Sequence, residues 1–153
     1  AYGRKLDEKG EVASADLDIL GNTLPEYAGG FGTTLRLYGL TVDARFSAAG
    51  GFNIINANKL VEKGRDYISS DDLEKGDYLR LDCLCFSYDI LVRAKWIKDF
   101  KVNLAVRNLF TISGYSGWNP DVNSFGVTVR GNGVDYGSFP LIRSVALGVS
   151  LKF

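Results

Sequence analysis

The sequence contains no histidine and no methionine, and only two cysteines and three prolines among its 153 residues. Without histidine no Ser–His or Cys–His pair can form for nucleophilic catalysis, so we predict no catalytic residue and no enzymatic activity. A single pair of cysteines without histidine also argues against a zinc site, so we predict no metal site and no cofactor. The sequence therefore favours a binding, transport or structural role.

Charge and hydropathy exclude further classes of protein. Lys+Arg and Asp+Glu both number 18, so no basic surplus predicts a nucleic-acid partner. No apolar run approaches the ~18 residues that a membrane-spanning helix needs. The chain also starts without methionine and without an apolar stretch of signal-peptide type, which leaves a mature product and a fragment both open.

The two cysteines, Cys83 and Cys85, stand two positions apart. On a strand their side chains would share one face, with α-carbons about 6.5–7 Å apart. That separation is at or beyond the upper limit for a disulfide, so the favoured interpretation is a pair of buried free thiols.

Glycine and aromatic residues are abundant instead, with 18 Gly, 8 Tyr and 9 Phe. This composition favours an all-β protein with many turns. The last ten residues show the strand pattern best, because apolar side chains alternate there with small or polar ones without a break. The apolar members of this final strand are Val145, Leu147, Val149, Leu151 and Phe153.

The same alternation predicts an antiparallel meander of about five strands. Residues 1–28 and the two long connections at 48–77 and 113–140 are polar and are interpreted as loops. Long connections alternate with short ones, which is typical of outer-membrane barrels with long external loops and short periplasmic turns. A soluble β-sandwich that binds carbohydrate or peptide also alternates and stays open as the alternative. The predicted strands lie near 29–38, 39–48, 77–88, 101–112 and 141–153.

Four blocks of sequence resemble the C-terminal barrel region of SusC/RagA-type TonB-linked outer-membrane proteins of Bacteroidetes. They cover residues 24–51, 77–90, 106–126 and 133–153. The most specific block is NLFTISGYSGWNPDV, followed by GVDYGSFP and the ending LKF. The resemblance implies that the chain supplies the last five strands of a large transmembrane β-barrel of roughly 22 strands. The plug domain and TonB box of the family have no counterpart in this sequence.

The resemblance also implies a location and a set of partners. It places the chain in the outer membrane of a Gram-negative bacterium, in contact with lipid, where it takes part in import of oligosaccharides or peptides. It implies a SusD-like surface lipoprotein as a lid, and the TonB complex as a partner through the missing N-terminal part. The outer-membrane assembly machinery would read the final strand, with Val149, Leu151 and Phe153 as its signal.

Two groups of residues are candidates for functional contacts. Aromatic side chains beside a carboxylate in the loop 113–140 suit a sugar ring, a peptide or a partner protein, although they suit packing of the loop on itself equally well. Charged residues on the polar faces of the strands are predicted to face the barrel lumen, where they would line water or contact the plug. The loop candidates are Tyr115, Trp118, Asp121, Tyr136 and Phe139, and the lumen candidates are Asp43, Arg45, Arg80, Asp82 and Arg107.

Overall fold

The computed structural model describes residues 2–4, 18–92, 96–125 and 133–153. The chain divides into two compact units, and each unit is built from three segments that alternate with those of the other along the sequence. The first unit takes 1–28, 49–78 and 113–141, and the second takes 29–48, 79–112 and 142–153. Each unit is described below by itself.

Within the described residues nearly all regular structure is β-strand. The described ranges contain one α-helix, α1, which runs from Asn58 to Lys63, and a 3₁₀ turn that covers Ser70–Asp72. None of the helices in the described part of the chain is long and apolar enough to cross a membrane. The strands are β1 Tyr2–Gly3, β2 Asp18–Ile19, β3 Tyr27–Leu37, β4 Leu40–Gly50, β5 Asn53–Asn56, β6 Leu73–Lys75, β7 Tyr78–Ile90, β8 Asp99–Ser113, β9 Val134–Asp135 and β10 Ser144–Lys152.

Five long strands form one antiparallel sheet in the order β10-β8-β7-β4-β3. Neighbours in the sheet follow one another along the chain, as in a meander. In the last pair, Val145 lies opposite Val106 and Leu147 lies opposite Leu104, so the apolar rows of β8 and β10 share a face. The predicted all-β fold with five antiparallel strands is confirmed.

The polar and apolar rows lie on opposite faces of the sheet in the second unit. Phe31 and Phe46 stack across β3 and β4 with ring centroids 4.7 Å apart. The Thr34 hydroxyl donates to Asp43 at 2.8 Å on the other face, because residues an odd number of positions apart point to opposite sides of a strand.

This sheet has a single layer. Among the described residues of the second unit only Arg80 and Leu81 are buried. Apolar side chains of β10 are largely exposed, with Leu147 at 73% of its full accessible area. Within the described residues of the second unit the apolar face therefore packs into no buried core.

The first unit contains a small core and a sheet of its own, in the order β6-β5-β9. The strand β5 pairs antiparallel with β6 and parallel with β9, where Ile55 lies opposite Val134. The core is apolar and is formed by Ala49, Phe52, Ile54 and Tyr115, with Tyr78 and Val122 packed against it.

The interpretation of 48–77 and 113–140 as plain loops is therefore wrong. Both connections contain strands, and β5 and β9 come from the two different connections. Strands of four and two residues are too short to show a period, and their pairing joins segments far apart in the sequence. In the predicted loop 1–28, β1 pairs with β2, and residues 5–17 lie outside the described residues.

A two-residue turn joins β3 to β4. Tyr38 and Gly39 both have positive φ, 46° and 84°, which is the conformation of a type I′ hairpin turn. Gly39 adopts it without strain, whereas a tyrosine with its Cβ does not. The Tyr38 side chain is almost fully exposed and gains no packing in exchange.

Replacing Tyr38 with Asn should therefore raise the free energy of unfolding by about 1 kcal/mol, since asparagine tolerates the left-handed conformation far better. The measurement is denaturant unfolding in a mild detergent. Tyr88→Asn is the matched control, because Tyr88 is also an exposed aromatic but lies in the regular strand β7. A gain of equal size in both variants would contradict the turn argument.

Candidate functional site

Glu74, on β6, is the centre of a polar network in the first unit. One carboxylate oxygen accepts hydrogen bonds from the Ser116 hydroxyl at 2.7 Å and the Asn56 amide at 3.0 Å, and the Lys59 ammonium lies 2.9 Å from it. The other oxygen accepts the backbone N–H of Ser116 at 2.7 Å. Burial raises the pKa of Glu74, but these donors outweigh it and lower the pKa to about 2.

Asp135, on β9, is a second carboxylate that is fully buried. It accepts the Tyr115 hydroxyl at 2.5 Å and the Ser138 hydroxyl at 2.5 Å. Burial raises the pKa of Tyr115 far above its ordinary value, and the adjacent Asp135 adds to the shift, so the phenol stays a donor. Tyr115 was predicted as a ligand contact, and the structure places it in the core instead, only 8% exposed.

Asp72 is a third carboxylate that is fully buried. Its carboxylate accepts the backbone N–H and the hydroxyl of Ser69, both at 2.8 Å. The first of these bonds belongs to a capping box around the 3₁₀ turn, in which the Ser69 side chain accepts the backbone N–H of Asp72. The Arg65 guanidinium pairs with the same carboxylate at 2.6 Å. Asp72 and Glu74 both have their carboxylates satisfied inside the unit, although they lie in a stretch of polar and acidic residues.

Four of the five predicted loop candidates remain at the surface. Trp118 and Phe139 are strongly exposed, and Tyr136 stacks on Phe125 with ring centroids 6.3 Å apart. Asp121 and Tyr136 line a common open cleft of about 360 Å³. Its other walls are mostly amide and hydroxyl groups, from Asn119, Asn123, Ser124 and Ser138.

An apolar cleft of about 330 Å³ lies in the same unit. Asp121 and Val122 line this cleft as well as the polar one. Its apolar walls come from stretches that lie far apart in the sequence and include Leu24, Phe52 and Pro120. The unit thus offers stacking surfaces, hydrogen-bonding groups and an apolar recess on neighbouring residues.

The predicted lumen candidates lie in the second unit. Asp43 pairs with Arg45 at 3.0 Å, and Asp82 accepts the Ser47 hydroxyl at 3.0 Å, so these residues share the polar face of the sheet. Arg80 is buried on the same face of β7. Arg107 is exposed and lies opposite Ser144, away from the apolar row of β8 and β10.

The predicted assembly signal lies at the end of β10. Val149 lies opposite Val102, and Leu151 lies opposite Phe100. Phe153 follows the strand with 75% of its accessible area exposed. These side chains share one face of β10, as the alternation predicts.

Sequence reasoning missed the buried carboxylates. For Asp72 a signal was present, because Ser69-x-x-Asp72 has the spacing of a capping box. Glu74 has no local pattern, since its donors come from distant residues such as Ser116. Asp135 accepts from the nearby Ser138, but its bond with Tyr115 joins residues 20 positions apart.

The pKa of Glu74 gives a testable pH dependence. An unfolded glutamate titrates near 4.5, so a folded pKa of about 2 stabilises the fold above pH 4.5 and the benefit is lost as the pH falls toward 2. Glu74→Gln should weaken this acid dependence and lower the free energy of unfolding at pH 7 by about 1.5–3 kcal/mol. The measurement is urea unfolding as a function of pH.

Glu62→Gln is the control for this experiment, because Glu62 is an exposed carboxylate on α1. That variant should keep the acid dependence of the unmodified chain. If the stability of Glu74→Gln fell with pH as steeply as that of the unmodified chain, the network around Glu74 would not be the source of the effect.

No family model matches the chain. The chain is 26% identical, over an alignment 183 positions long, to the TonB-dependent receptor P3 of Formosa agariphila, and the alignment covers 97% of this chain and 18% of that protein.

Solved structures show the same fold. A structure of the RagAB peptide transporter matches with a TM-score of 0.78 at 22% identity, over 99% of this chain and 22% of that one. The RagAB peptide importer in its closed-closed state matches with a TM-score of 0.73 at 23% identity, over 97% of this chain and 20% of that one. The chain spans about a fifth of the length of these relatives. The predicted resemblance is therefore confirmed: the chain is similar to a segment of TonB-dependent receptors and has the fold of part of a RagA-type barrel.

Proposed function

We propose that this chain is a C-terminal part of a TonB-dependent outer-membrane importer of oligosaccharides or peptides, where it forms barrel wall and external loops. The observation that carries the proposal is the single-layered sheet with an exposed apolar row on one face. A soluble protein leaves no such face uncovered without a partner. Outer-membrane lipid is the natural cover for it.

The strand lengths support the same conclusion. The five strands of the sheet have between 9 and 15 residues, and a tilted membrane strand needs about 9–11. With the apolar row toward lipid, the opposite face is directed to the lumen. That face carries the proposed lumen residues Asp43, Arg45, Arg80, Asp82 and Arg107.

The alternative, a soluble β-sandwich that binds carbohydrate or peptide, has less support. A sandwich buries its inner apolar face against a second sheet. The row of β10 is exposed instead, with Val145 at 70% and Val149 at 59% of their full accessible area. The names of the relatives, a receptor and a peptide importer, also favour transport without catalysis.

The outer edges of the sheet suit a larger assembly. Within the described residues β3 and β10 are the end strands of the sheet, and an open strand edge exposes unpaired N–H and C=O groups. In a membrane such edges must be paired. We propose that these edges pair with further strands of the barrel. This pairing would follow recognition of Val149, Leu151 and Phe153 by the outer-membrane assembly machinery.

The first unit supplies the external surface in this proposal. Trp118, Asp121, Tyr136 and Phe139 form its contact surface for the imported ligand or for a SusD-like surface lipoprotein. Their exposure and the cleft shared by Asp121 and Tyr136 support this role. Tyr115 supports the surface from inside, and coupling to the TonB complex belongs to another part of the importer.

Lipid contact can be tested with tryptophan probes on β10. In a background with Trp96 and Trp118 replaced by Phe, Val149→Trp should be quenched strongly by lipids brominated on their acyl chains. Ser150→Trp is the matched control on the neighbouring position and should be quenched weakly, because adjacent strand residues point to opposite faces. The measurement is fluorescence of the full chain reconstituted in vesicles.

Equal quenching at positions 149 and 150 would contradict the assignment of the two faces. A chain that is monodisperse and cooperatively folded in plain buffer, with neither probe quenched, would favour the soluble binding module.

The final aromatic residue gives a second test. Phe153→Ala should reduce insertion of the full-length parent into the outer membrane several-fold, because the exposed terminal ring is the proposed recognition element. Lys152→Ala changes the neighbouring side chain on the opposite face and should insert normally. The measurement is the amount of folded protein in outer-membrane fractions, and equal amounts for both variants would refute the role of Phe153.

A further inference from the structure

Cys83 and Cys85 occupy the middle of β7, and both side chains are half-buried. Their Sγ atoms are 2.7 Å apart, closer than two non-bonded sulfur atoms ordinarily approach but longer than the ~2.05 Å of a disulfide bond. The sequence alone had favoured two buried thiols that act as small apolar residues. The structure instead directs the two sulfur atoms toward each other.

The surrounding sheet explains why the two sulfurs meet. Residues two positions apart share a face of the strand, and two residues of strand rise span about 6.6–6.8 Å. Neighbouring strands β8 and β4 hold β7 from both sides and keep this spacing fixed. The α-carbon separation is then at the upper end of the range that disulfides accept, and the sulfur atoms are already in contact.

We propose that Cys83 and Cys85 are a reversible dithiol–disulfide site. A disulfide R′SSR′ of a small molecule or an oxidoreductase is the oxidant. One cysteine thiolate attacks it and releases R′SH, and the second cysteine then displaces the other R′S group from the mixed disulfide. The two cysteines lose two protons and two electrons and form one S–S bond, while R′SSR′ is reduced to two R′SH.

The proposed disulfide is a reversible modification that contributes little to the stability of the fold. A bond between residues two apart closes a very short loop, so it removes little entropy from the unfolded chain. Oxidation should therefore leave the melting temperature of the folded chain nearly unchanged. If the proposed outer-membrane location holds, the chain meets suitable oxidants while it crosses the periplasm.

The test uses the full chain with oxidised glutathione, followed by denaturation, alkylation of free thiols and mass spectrometry. The unmodified chain should lose two hydrogens, carry no glutathione and take up no alkylating reagent until it is reduced. Cys83→Ser and Cys85→Ser are the matched controls. Each should retain one glutathione as a mixed disulfide, because no second thiol is present to displace it.

Two glutathione adducts on the unmodified chain, or two alkylated thiols after the oxidation has reached equilibrium, would overturn the proposal. A disulfide that joins two chains, or a bound soft metal ion that protects two reduced thiols, would overturn it as well. None of these outcomes depends on transport or membrane insertion, so the result is independent of the proposed function.

Discussion

A single-layered β-sheet satisfies its backbone but cannot bury its side chains, and this constraint governs the second unit. Nine residue pairs join β8 to β10, while among the described residues of the second unit the aligned apolar rows of the two strands have no second layer to pack against. Burial of apolar surface contributes roughly 25 cal/mol per Å². The sheet can gain this contribution only from a medium or partner outside its own described residues, and for this reason we propose a membrane as the cover.

The first unit is stabilised differently, by carboxylates placed where little apolar material is present. Asp72, Glu74 and Asp135 each accept several hydrogen bonds. The donors to Asp72 are local, whereas Glu74 and Asp135 also accept from 115–116, which is distant in the sequence. Removing one donor from such a group leaves a buried charge less well satisfied, which costs more than the hydrogen bond contributes by itself. The networks thus hold polar, glycine-rich segments in one arrangement that a small apolar core could not specify alone.

The two units also differ in how far their structure can be predicted from the sequence. The strands of the sheet could be predicted because side chains alternate over nine or more residues, as they do from Val145 to Phe153. The pairing of β5 with β9 could not, because it joins a four-residue strand to a two-residue strand across the sequence. Tyr115 and Trp118 look alike as loop aromatics, and only the position of Asp135 assigns one to the interior and leaves the other exposed.

Neighbouring residues connect these networks to the proposed contact surface. Tyr115 donates to Asp135, and Ser116 donates to Glu74 through both its backbone and its side chain. Trp118 follows two residues later, and the Asn119 side chain bonds the backbone of Asp121 to close the next turn. A surface held at both ends in this way loses less conformational entropy when a ligand or a lid binds. In the proposed function, Glu74 and Asp135 therefore favour binding through the order they impose on their exposed neighbours.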